Sequence, residues 1–286
     1  MTPKMTLREK CAQLVFFEFR FDDPDYDAAM RRAKDIGFGG VVVRGGSLFE
    51  LGPFLNTLQK NAKLPMLAAA AYDRGAGPEV AQATTFPPHL AVAAAGSEEL
   101  ARSKGRLTAR EAKAMGVRWL LGAEPAAFAG NEALSRAYAD GAAEMKVHAG
   151  AVEGVQLAPA DPEEAILALE EDVQEGRLND AELYRLVENL LSLKRRLGLY
   201  GDRMTDQAGA EKVVGAPSHR AAAEKLAEAA ITRIRDGAVV GYGDPRQGPV
   251  PDVCAWGDDE HSRRAAARAL AGEIPFAGRW PFQEKP

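Results

Sequence analysis

Three carboxylates stand where apolar stretches of the sequence end. The stretch LPMLAAAAYDRGAG, residues 64–77, runs apolar until Asp73 and then turns through small residues. Glu18 and Glu124 also close apolar stretches, and neighbouring strands about 4.8 Å apart would place Glu124 beside Asp73. Two carboxyl groups that reach one substrate can act as nucleophile or base and as proton donor. The structural alternative is that Asp73 is a turn residue or a helix N-cap and that Glu124 is a solvated loop residue.

No other group of polar residues has the spacing of a known site. Cys11 and Cys254 lie far apart without a CxxC or Cys/His companion, which predicts two structural thiols and neither a disulfide framework nor a zinc site. The glycines of GFGG and RGG form no complete dinucleotide or phosphate motif. The four histidines are not spaced as a metal pair on one helix, and we expect them on the surface or at helix ends: His89, His148, His219 and His261. We therefore expect no metal and no cofactor.

Alternating strands and helices position these residues. Apolar, β-branched runs predict strands at 13–21, 40–43, 64–73, 117–121 and 154–159. Strands separated by helices pair in parallel, and helices cover the faces of such sheets. A closed eight-stranded barrel has eight βα units and takes about 250 residues. This sequence has only about five predicted strands before residue 200, which are too few to close such a barrel. The sequence thus predicts an α/β fold with an incomplete, TIM-barrel-like parallel sheet.

Helix boundaries are marked by capping residues. Thr6 and Glu9 form a capping box that opens a short first helix. Asp161, followed by a proline and two glutamates, opens another helix. Asn179 and Glu182 open a long amphipathic helix with a leucine-rich face, which ends at Gly198. This last helix is the clearest element of the sequence.

The chain changes character after residue 200. Periodicity is lost there, which predicts a linker over 204–216. Beyond it, SHRAAAEKLAEAAITRIRDG restarts a helix and GAVVGYG supplies a strand. Residues 217–286 are therefore expected to form a small C-terminal α/β module.

Composition excludes several classes of protein. The chain has 286 residues, of which 46% are hydrophobic and 27% charged, and its net charge is −5. This charge, without a basic stripe, predicts no nucleic-acid partner, and no apolar run approaches the roughly 20 residues that cross a bilayer. The start of the sequence, MTPKMTLREKCAQLVFF, has a helix cap where a signal peptide carries an uninterrupted apolar segment. We therefore expect a cytoplasmic protein without a membrane partner.

Several segments, in this order, resemble the amino-terminal barrel domain of glycoside hydrolase family 3, which includes β-glucosidases and β-N-acetylglucosaminidases. They are LREKCAQLVFF, GFGGVVV, LPMLAAAAYDRGAG, TTFPPHLAVAAAGSEELARSKGRLTAREAKAMGVRW, DPEEAILALEEDVQEGRLNDAEL and LLSLKRRLGLY. The tail AWGDDEHSRRAAARALAGEIPFAGRWPF resembles the end of that family's second, α/β sandwich domain. The resemblance implies an abbreviated barrel domain over 1–203, a linker over 204–216 and a remnant of the sandwich domain over 217–286.

The resemblance also assigns roles to residues. Asp73 matches the aspartate of the family's Asp-Gln-Glu-Gly-Gly turn, which binds sugar hydroxyls; here the turn begins Asp73-Arg74. Strands five to seven of the family's barrel, with a Lys-His-Phe-Pro-Gly segment and a Ser-Asp pair that holds the nucleophile, have no counterpart in this sequence. The catalytic residues are thus unknown, and the substrate-binding candidates are Asp73, Arg74 and Glu124.

Two functions are compatible with these residues. Retaining glycosidases need carboxyl groups about 5–5.5 Å apart and inverting enzymes about 6.5–9.5 Å, so one aspartate is insufficient. We predict a degenerate relative with weak or no hydrolysis of β-linked glycosides and a role in binding a sugar or in assembly. The alternative is an active β-glycosidase with a rebuilt carboxylate pair. An incomplete barrel leaves sheet edges and apolar surface open, which predicts a homodimer or another protein partner that covers them.

Overall fold

The computed structural model describes residues 4–283, which form two β-sheets surrounded by helices. Six strands make the larger sheet: β1 Val15–Arg20, β2 Gly40–Arg44, β3 Leu67–Ala70, β4 Trp119–Leu120, β5 His148–Ala149 and β6 Gln156–Leu157. They pair in parallel in the order β5-β4-β3-β2-β1-β6, so the last two strands lie at opposite edges of a curled sheet. The predicted α/β fold with an incomplete TIM-barrel-like sheet is confirmed.

Eleven α-helices connect and cover the strands within residues 4–283. They are α1 Leu7–Gln13, α2 Tyr26–Arg31, α3 Leu48–Asn61, α4 His89–Ala95, α5 Glu98–Ala114, α6 Glu132–Glu144, α7 Pro162–Gln174, α8 Asp180–Arg196, α9 Gln207–Val213, α10 Pro217–Ala230 and α11 Glu260–Leu270. Short 3₁₀ helices occupy Pro125–Phe128 and Pro245–Gln247, and a π-helical turn, Arg32–Ile36, extends α2. None of the helices in this part of the chain is both long and apolar enough to cross a bilayer.

The two faces of the larger sheet carry different apolar clusters, because successive side chains of a strand point to opposite faces. Phe17 and Phe19 of β1 pack with the surrounding helices in the main core. Phe16 lies on the other face, where its ring meets the ring of Trp119 edge-on at a centroid distance of 5.3 Å. Gly40 of β2 lies against Phe16, and an added Cβ there would come within 2.2 Å of that ring. The concave face is therefore packed tightly at the amino-terminal ends of its strands.

Helix α8 closes this amino-terminal end. Leu190, Leu193 and Leu197 belong to the same apolar cluster as Phe16 and Trp119. The Lys194 ammonium donates a hydrogen bond of 2.8 Å to Gln13, the last residue of α1. Arg118, just before β4, donates one of 2.7 Å to the carbonyl oxygen of Leu197. Part of the apolar surface expected to need a partner is thus covered by the chain itself.

The predicted helix caps are confirmed. Thr6 accepts from the backbone of Glu9 at 3.2 Å, and the Glu9 carboxylate accepts from the backbone of Thr6 at 2.9 Å. Asp161 accepts from the backbone of Glu163 and Glu164, and Asn179 accepts from that of Glu182. These contacts satisfy amide groups that have no partner inside the helix. Local sequence signals therefore set the helix starts.

The structure adds a sixth strand to the predicted sheet. His148–Ala149 pairs with Trp119–Leu120, whereas His148 was expected on the surface or at a helix end. Two residues are too few to show the alternation by which a strand is recognised. The sixth strand is the main difference between the predicted and the observed sheet.

The segment 204–216, predicted as a linker, contains α9 and is anchored to α3. Asn56 donates to the carbonyl oxygen of Thr205 at 3.0 Å and accepts from its backbone amide at 2.7 Å. Beyond this segment, β7 Thr232–Arg233, β8 Val240–Gly241 and β9 Val253–Cys254 form a three-stranded sheet in the order β7-β9-β8. A small C-terminal α/β module is present, while the domain boundaries at 203 and 217 stay predictions.

Glu111 of α5 joins the two parts of the chain. Its buried carboxylate accepts from the hydroxyl and the backbone amide of Thr84 at 2.6 and 2.8 Å. It also accepts from the backbone of Gly215 at 3.0 Å and lies 2.6 Å from Nδ1 of His219 in α10. One carboxylate therefore holds the segment after β3, the end of the 204–216 segment and the first helix of the C-terminal module.

Candidate functional site

The carboxyl ends of the parallel strands bring four candidate loops to one edge of the sheet. In barrels of this type the loops at this edge carry the functional residues, while the opposite edge carries stability. Glu18 and Arg44 lie near the ends of β1 and β2. Asp73 and Glu124 follow β3 and β4, and Ala70 pairs with Leu120 across those two strands. The strand order therefore makes the loops that carry Asp73 and Glu124 neighbours.

Asp73 caps helix α4, although it is not adjacent to that helix in the sequence. Its Oδ1 accepts a hydrogen bond of 3.1 Å from the backbone amide of His89, the first residue of α4. The N-cap position of α4 is Pro88, whose side chain cannot accept a hydrogen bond. Asp73 is therefore not an N-cap residue in the sense considered for it, but its carboxylate satisfies the first amide of α4 from outside the helix. Since 49% of its side chain remains exposed, a sugar-binding role stays a prediction.

His89 and Lys104 lie behind Asp73 and are almost fully buried. Nε2 of His89 lies 3.4 Å from Oδ1 of Asp73, without hydrogen-bond geometry. The Lys104 ammonium lies 3.2 Å from Nδ1 of His89 and donates to the carbonyl oxygen of Pro87 at 2.8 Å. Burial, reinforced by the Lys104 charge, holds the pKa of His89 well below its ordinary value. Burial also lowers the pKa of Lys104 to about 8, against the opposing effect of Asp73 and Asp259.

These buried residues were not predicted as a site. His89 and His219 were expected on the surface or at helix ends, and both are buried, although His89 does open α4. His89 packs on the rings of Phe128 and Tyr138 at centroid distances of 4.3 and 4.7 Å. Lys104 stands on the buried stripe of α5, and a lysine in such a stripe was the one available signal.

Arg74 connects the loop after β3 to the C-terminal module. Its Nη2 lies 3.6 Å from Oδ2 of Asp259, a buried carboxylate that also caps α11. The carbonyl oxygen of Arg74 accepts from the amide of Phe86 at 2.7 Å, which fixes the loop. One-third of the side chain is exposed. Arg74 is thus already engaged by protein, although part of its guanidinium remains accessible.

Glu124 is the least constrained of the candidates. It precedes the 3₁₀ helix Pro125–Phe128 but makes no capping hydrogen bond. Its side chain is exposed, and no hydrogen bond or ion pair joins it to Asp73 or to any other residue between 4 and 283. Glu124 therefore lies in the loop next to that of Asp73, but the two carboxylates do not form a defined pair.

A polar cavity lies over the ends of β1 and β2. It has a volume of about 670 Å³, and its lining includes Glu18, Arg44 and Glu79. Arg44 donates to Glu18 at 3.0 Å, and both side chains are about one-third exposed. Glu79 accepts from the amide of Gly45 at 2.7 Å, so it holds the glycine turn after β2. Glu18 was recognised from the sequence as a strand-end carboxylate, whereas the role of Glu79 depends on a contact between two loops.

The cysteines and the metal-binding residue types of residues 4–283 supply neither a reactive thiolate nor a cluster of metal ligands. Cys11 and Cys254 are free and buried, as predicted. Burial raises the pKa of the Cys11 thiol to about 11 and that of Cys254 to about 12, so neither is a reactive thiolate at neutral pH. Residues 4–283 hold no group of three or more His, Cys, Asp or Glu side chains arranged to bind a metal ion.

The chain is related to glycoside hydrolase family 3. The family model described as the glycosyl hydrolase family 3 N terminal domain matches residues 6–123. A curated β-N-acetylglucosaminidase/β-glucosidase from Cellulomonas fimi is 32% identical over 111 residues, which are 39% of this chain and 19% of that protein. The resemblance inferred from the sequence segments is thus confirmed, and the chain spans about a fifth of the length of this relative.

Solved structures extend the likeness to nearly the whole fold. A β-glucoside phosphorylase superposes with a TM-score of 0.79 at 14% identity, covering 98% of this chain and 94% of its own. A family 3 β-N-acetylglucosaminidase from Paenibacillus sp. str. FPU-7 gives 0.77 at 13% identity, covering 98% and 99%. At these identities the likeness establishes the fold alone.

Proposed function

We propose that this chain is a degenerate relative of the family 3 glycosidases that binds a β-linked sugar or oligosaccharide and hydrolyses it weakly or not at all. The observation that carries the proposal is the state of Asp73. Its side chain is 49% exposed at the carboxyl edge of the sheet, while the protein contacts of its carboxylate go to His89. Such a carboxylate can accept hydrogen bonds from sugar hydroxyls, and the sequence lacks the family's nucleophile segment.

Arg74 and Glu124 complete the proposed binding edge. The exposed third of Arg74 offers N–H donors to hydroxyl oxygens, and the exposed Glu124 carboxylate offers acceptors. The names of the related proteins, a β-N-acetylglucosaminidase/β-glucosidase and a β-glucoside phosphorylase, favour a β-linked glucoside or N-acetylglucosaminide as the ligand.

The test combines a reaction and a titration. The wild-type protein is incubated at high concentration with 4-nitrophenyl β-glucoside and β-N-acetylglucosaminide, and cellobiose and chitobiose are titrated by calorimetry. We expect heat of binding without release of nitrophenol. Asp73→Ala should abolish binding, and Asp73→Asn, which keeps an oxygen for the His89 amide, separates the charge from the cap. Turnover that disappears in Asp73→Ala would mean that the protein is an active glycosidase.

An active enzyme is the second candidate, favoured by the cavity over β1 and β2. Four carboxylates line it, so a rebuilt acid/base pair has residues to draw on: Glu18, Asp22, Glu50 and Glu79. Turnover that survives Asp73→Ala but is lost in Glu18→Gln would support this site. Loss in both variants would instead support a pair that spans the two sites.

The proposed role in assembly rests on the sheet edges. β5 and β6 each pair on one side only, and Leu157 of β6 is 40% exposed. A second copy or another protein would cover these edges. Light scattering tests for the homodimer, because a solution mass of 30.6 kDa would show a monomer. The two free thiols support the proposed cytoplasmic location, since the cytosol keeps thiols reduced.

A further inference from the structure

A line of three polar groups runs from the interior of the protein to its surface at Asp73. Lys104 and His89 are 1% and 2% exposed, whereas the side chain of Asp73 is 49% exposed. The Lys104 ammonium lies 3.2 Å from Nδ1 of His89, and Nε2 of the same ring lies 3.4 Å from Oδ1 of Asp73. The imidazole therefore stands between a buried ammonium and a half-exposed carboxylate.

The chemistry of the groups fixes the proton positions along this line. An ammonium group has three donors and no acceptor, so Nδ1 of His89 must accept from Lys104. A neutral imidazole with an acceptor at Nδ1 carries its proton on Nε2. That N–H has no hydrogen-bond partner among residues 4–283, and Oδ1 of Asp73 lies 3.4 Å from it, outside hydrogen-bond geometry. The lowered pKa of His89 agrees with a neutral ring.

The surroundings hold the imidazole in this orientation. The ring is packed between Phe128 and Tyr138, and a second Lys104 proton is donated to the carbonyl oxygen of Pro87 at 2.8 Å. Asp259 and Arg74 are the other charged groups that act on Lys104, and their effects on its pKa have opposite signs. Neither lies between Lys104 and His89 in the hydrogen-bonded line.

We infer that Lys104 and His89 are positioning residues that hold Oδ1 of Asp73 and leave Oδ2 to accept a hydrogen bond from the ligand. Oδ1 accepts the hydrogen bond of the His89 backbone amide at 3.1 Å, and Nε2 of the His89 ring lies 3.4 Å from the same oxygen. A carboxylate held through one oxygen cannot rotate freely, so its second oxygen is presented in one direction. The inference rests on the proposed sugar-binding function for the identity of the ligand, but the proton arrangement belongs to the free protein.

The first test is nitrogen NMR of the ligand-free protein. The His89 ring should show a protonated Nε2 and an unprotonated Nδ1 from pH 6 to pH 7, where Lys104 carries its charge. Lys104→Met removes the donor and should weaken this preference, and Lys104→Gln, which keeps an N–H donor, should restore it. A proton on Nδ1, or an imidazolium at pH 6, would overturn the inference whatever the ligand.

The second test measures binding of cellobiose and chitobiose by calorimetry. Lys104→Met should weaken the binding that wild type shows by about tenfold, as expected for losing one oriented hydrogen bond, while Lys104→Gln should recover most of it. Lys194→Met is the matched control, because it removes an equally buried ammonium at the other end of the sheet. Equal losses in Lys104→Met and Lys194→Met would show a general stability effect and reject the positioning role.

The two tests separate this inference from the proposed function. The predicted tautomer together with no sugar binding in wild type would reject the sugar ligand and keep the arrangement of Lys104, His89 and Asp73. Sugar binding together with the opposite tautomer would keep the proposed function and reject the positioning role.

Discussion

The two ends of the large sheet are built from the same strands but differ in composition and exposure. At the amino-terminal end, leucines of α8 pack on Phe16 and Trp119, and the buried Lys194 and Arg118 donate to oxygens of the chain. At the carboxyl end, the side chains of Glu18, Arg44 and Asp73 are 33%, 36% and 49% exposed. The comparison teaches that one end of the sheet is closed by apolar packing, while the other end leaves polar side chains partly exposed.

The largest expected effect is at the closed end. Trp119→Ala should lower the free energy of unfolding by about 3–5 kcal/mol, because it removes a buried ring that contacts Phe16 and donates to the carbonyl oxygen of Gly150. Urea unfolding at pH 7 measures the loss. Trp119→Phe should cost less, since it keeps a ring in place. A loss below about 1 kcal/mol in Trp119→Ala would contradict tight packing at this end.

The second prediction concerns the buried charge of Lys194. Burial lowers its pKa to about 7, while a lysine in the unfolded chain titrates near 10.4. Above pH 7 the unfolded chain therefore binds more protons, so stability should rise with pH, by at most about 1.4 kcal/mol per pH unit for this group. Lys104 should add to the rise above about pH 8.

Lys194→Met isolates this contribution. The variant should be at least as stable as wild type at pH 7, and its advantage should shrink between pH 7 and pH 8.5. Higher pH is less informative, because the raised pKa values of Cys11 and Cys254 act in the opposite direction there. Urea midpoints at pH 7.0, 7.75 and 8.5 provide the measurement. A constant difference between the two proteins would show that Lys194 stays protonated in the folded protein up to pH 8.5, and it would contradict the lowered pKa.

A smaller effect is expected at the open end. Asp73→Ala removes the cap of α4 and should cost about 1 kcal/mol of unfolding free energy. Asp73→Asn keeps a cap oxygen and should cost only a few tenths of that amount. Thermal unfolding of the two variants makes the comparison. Equal losses would mean that the carboxylate charge, rather than the hydrogen bond to the His89 amide, stabilises the helix.

The smallest effect is expected for Glu124. Glu124→Gln should change the free energy of unfolding by less than about 0.5 kcal/mol, because the side chain is exposed and has no hydrogen-bond partner among residues 4–283. The same urea experiment checks it. Any change in cellobiose binding by this variant would then report a ligand contact and not a damaged fold.

Much of the fold could be predicted because its signals are local. The capping box of Thr6 and Glu9 and the apolar stripe of α8 are set by residues three or four positions apart. The short strand His148–Ala149 was missed because its two residues carry no periodic pattern. The helix Gln207–Val213 falls where periodicity is lost, and its neighbouring segment is held by Asn56, about 150 residues earlier.

The candidate site was less predictable, since its contacts join residues far apart in sequence. The sequence identified Asp73 as the residue that ends a predicted strand. It left two roles as alternatives, a ligand contact and a turn or helix cap. The structure instead shows a long-range contact, because the backbone amide of His89 returns to Asp73 sixteen residues later. No pattern in the sequence placed Lys104 behind His89, because the position of a single lysine on α5 depends on how that helix packs.

The sequence by itself determined the alternation of strands and helices, the helix caps and the resemblance to glycoside hydrolase family 3. Hydrophobic periodicity and capping act over a few residues, so short stretches of the sequence are enough to predict them. Tertiary structure alone decided that α8 closes the amino-terminal end, that Glu111 joins the two parts, and that Asp73 accepts the backbone amide of His89. Burial and charge pairing arise only when distant segments pack together, so no local sequence pattern predicts them.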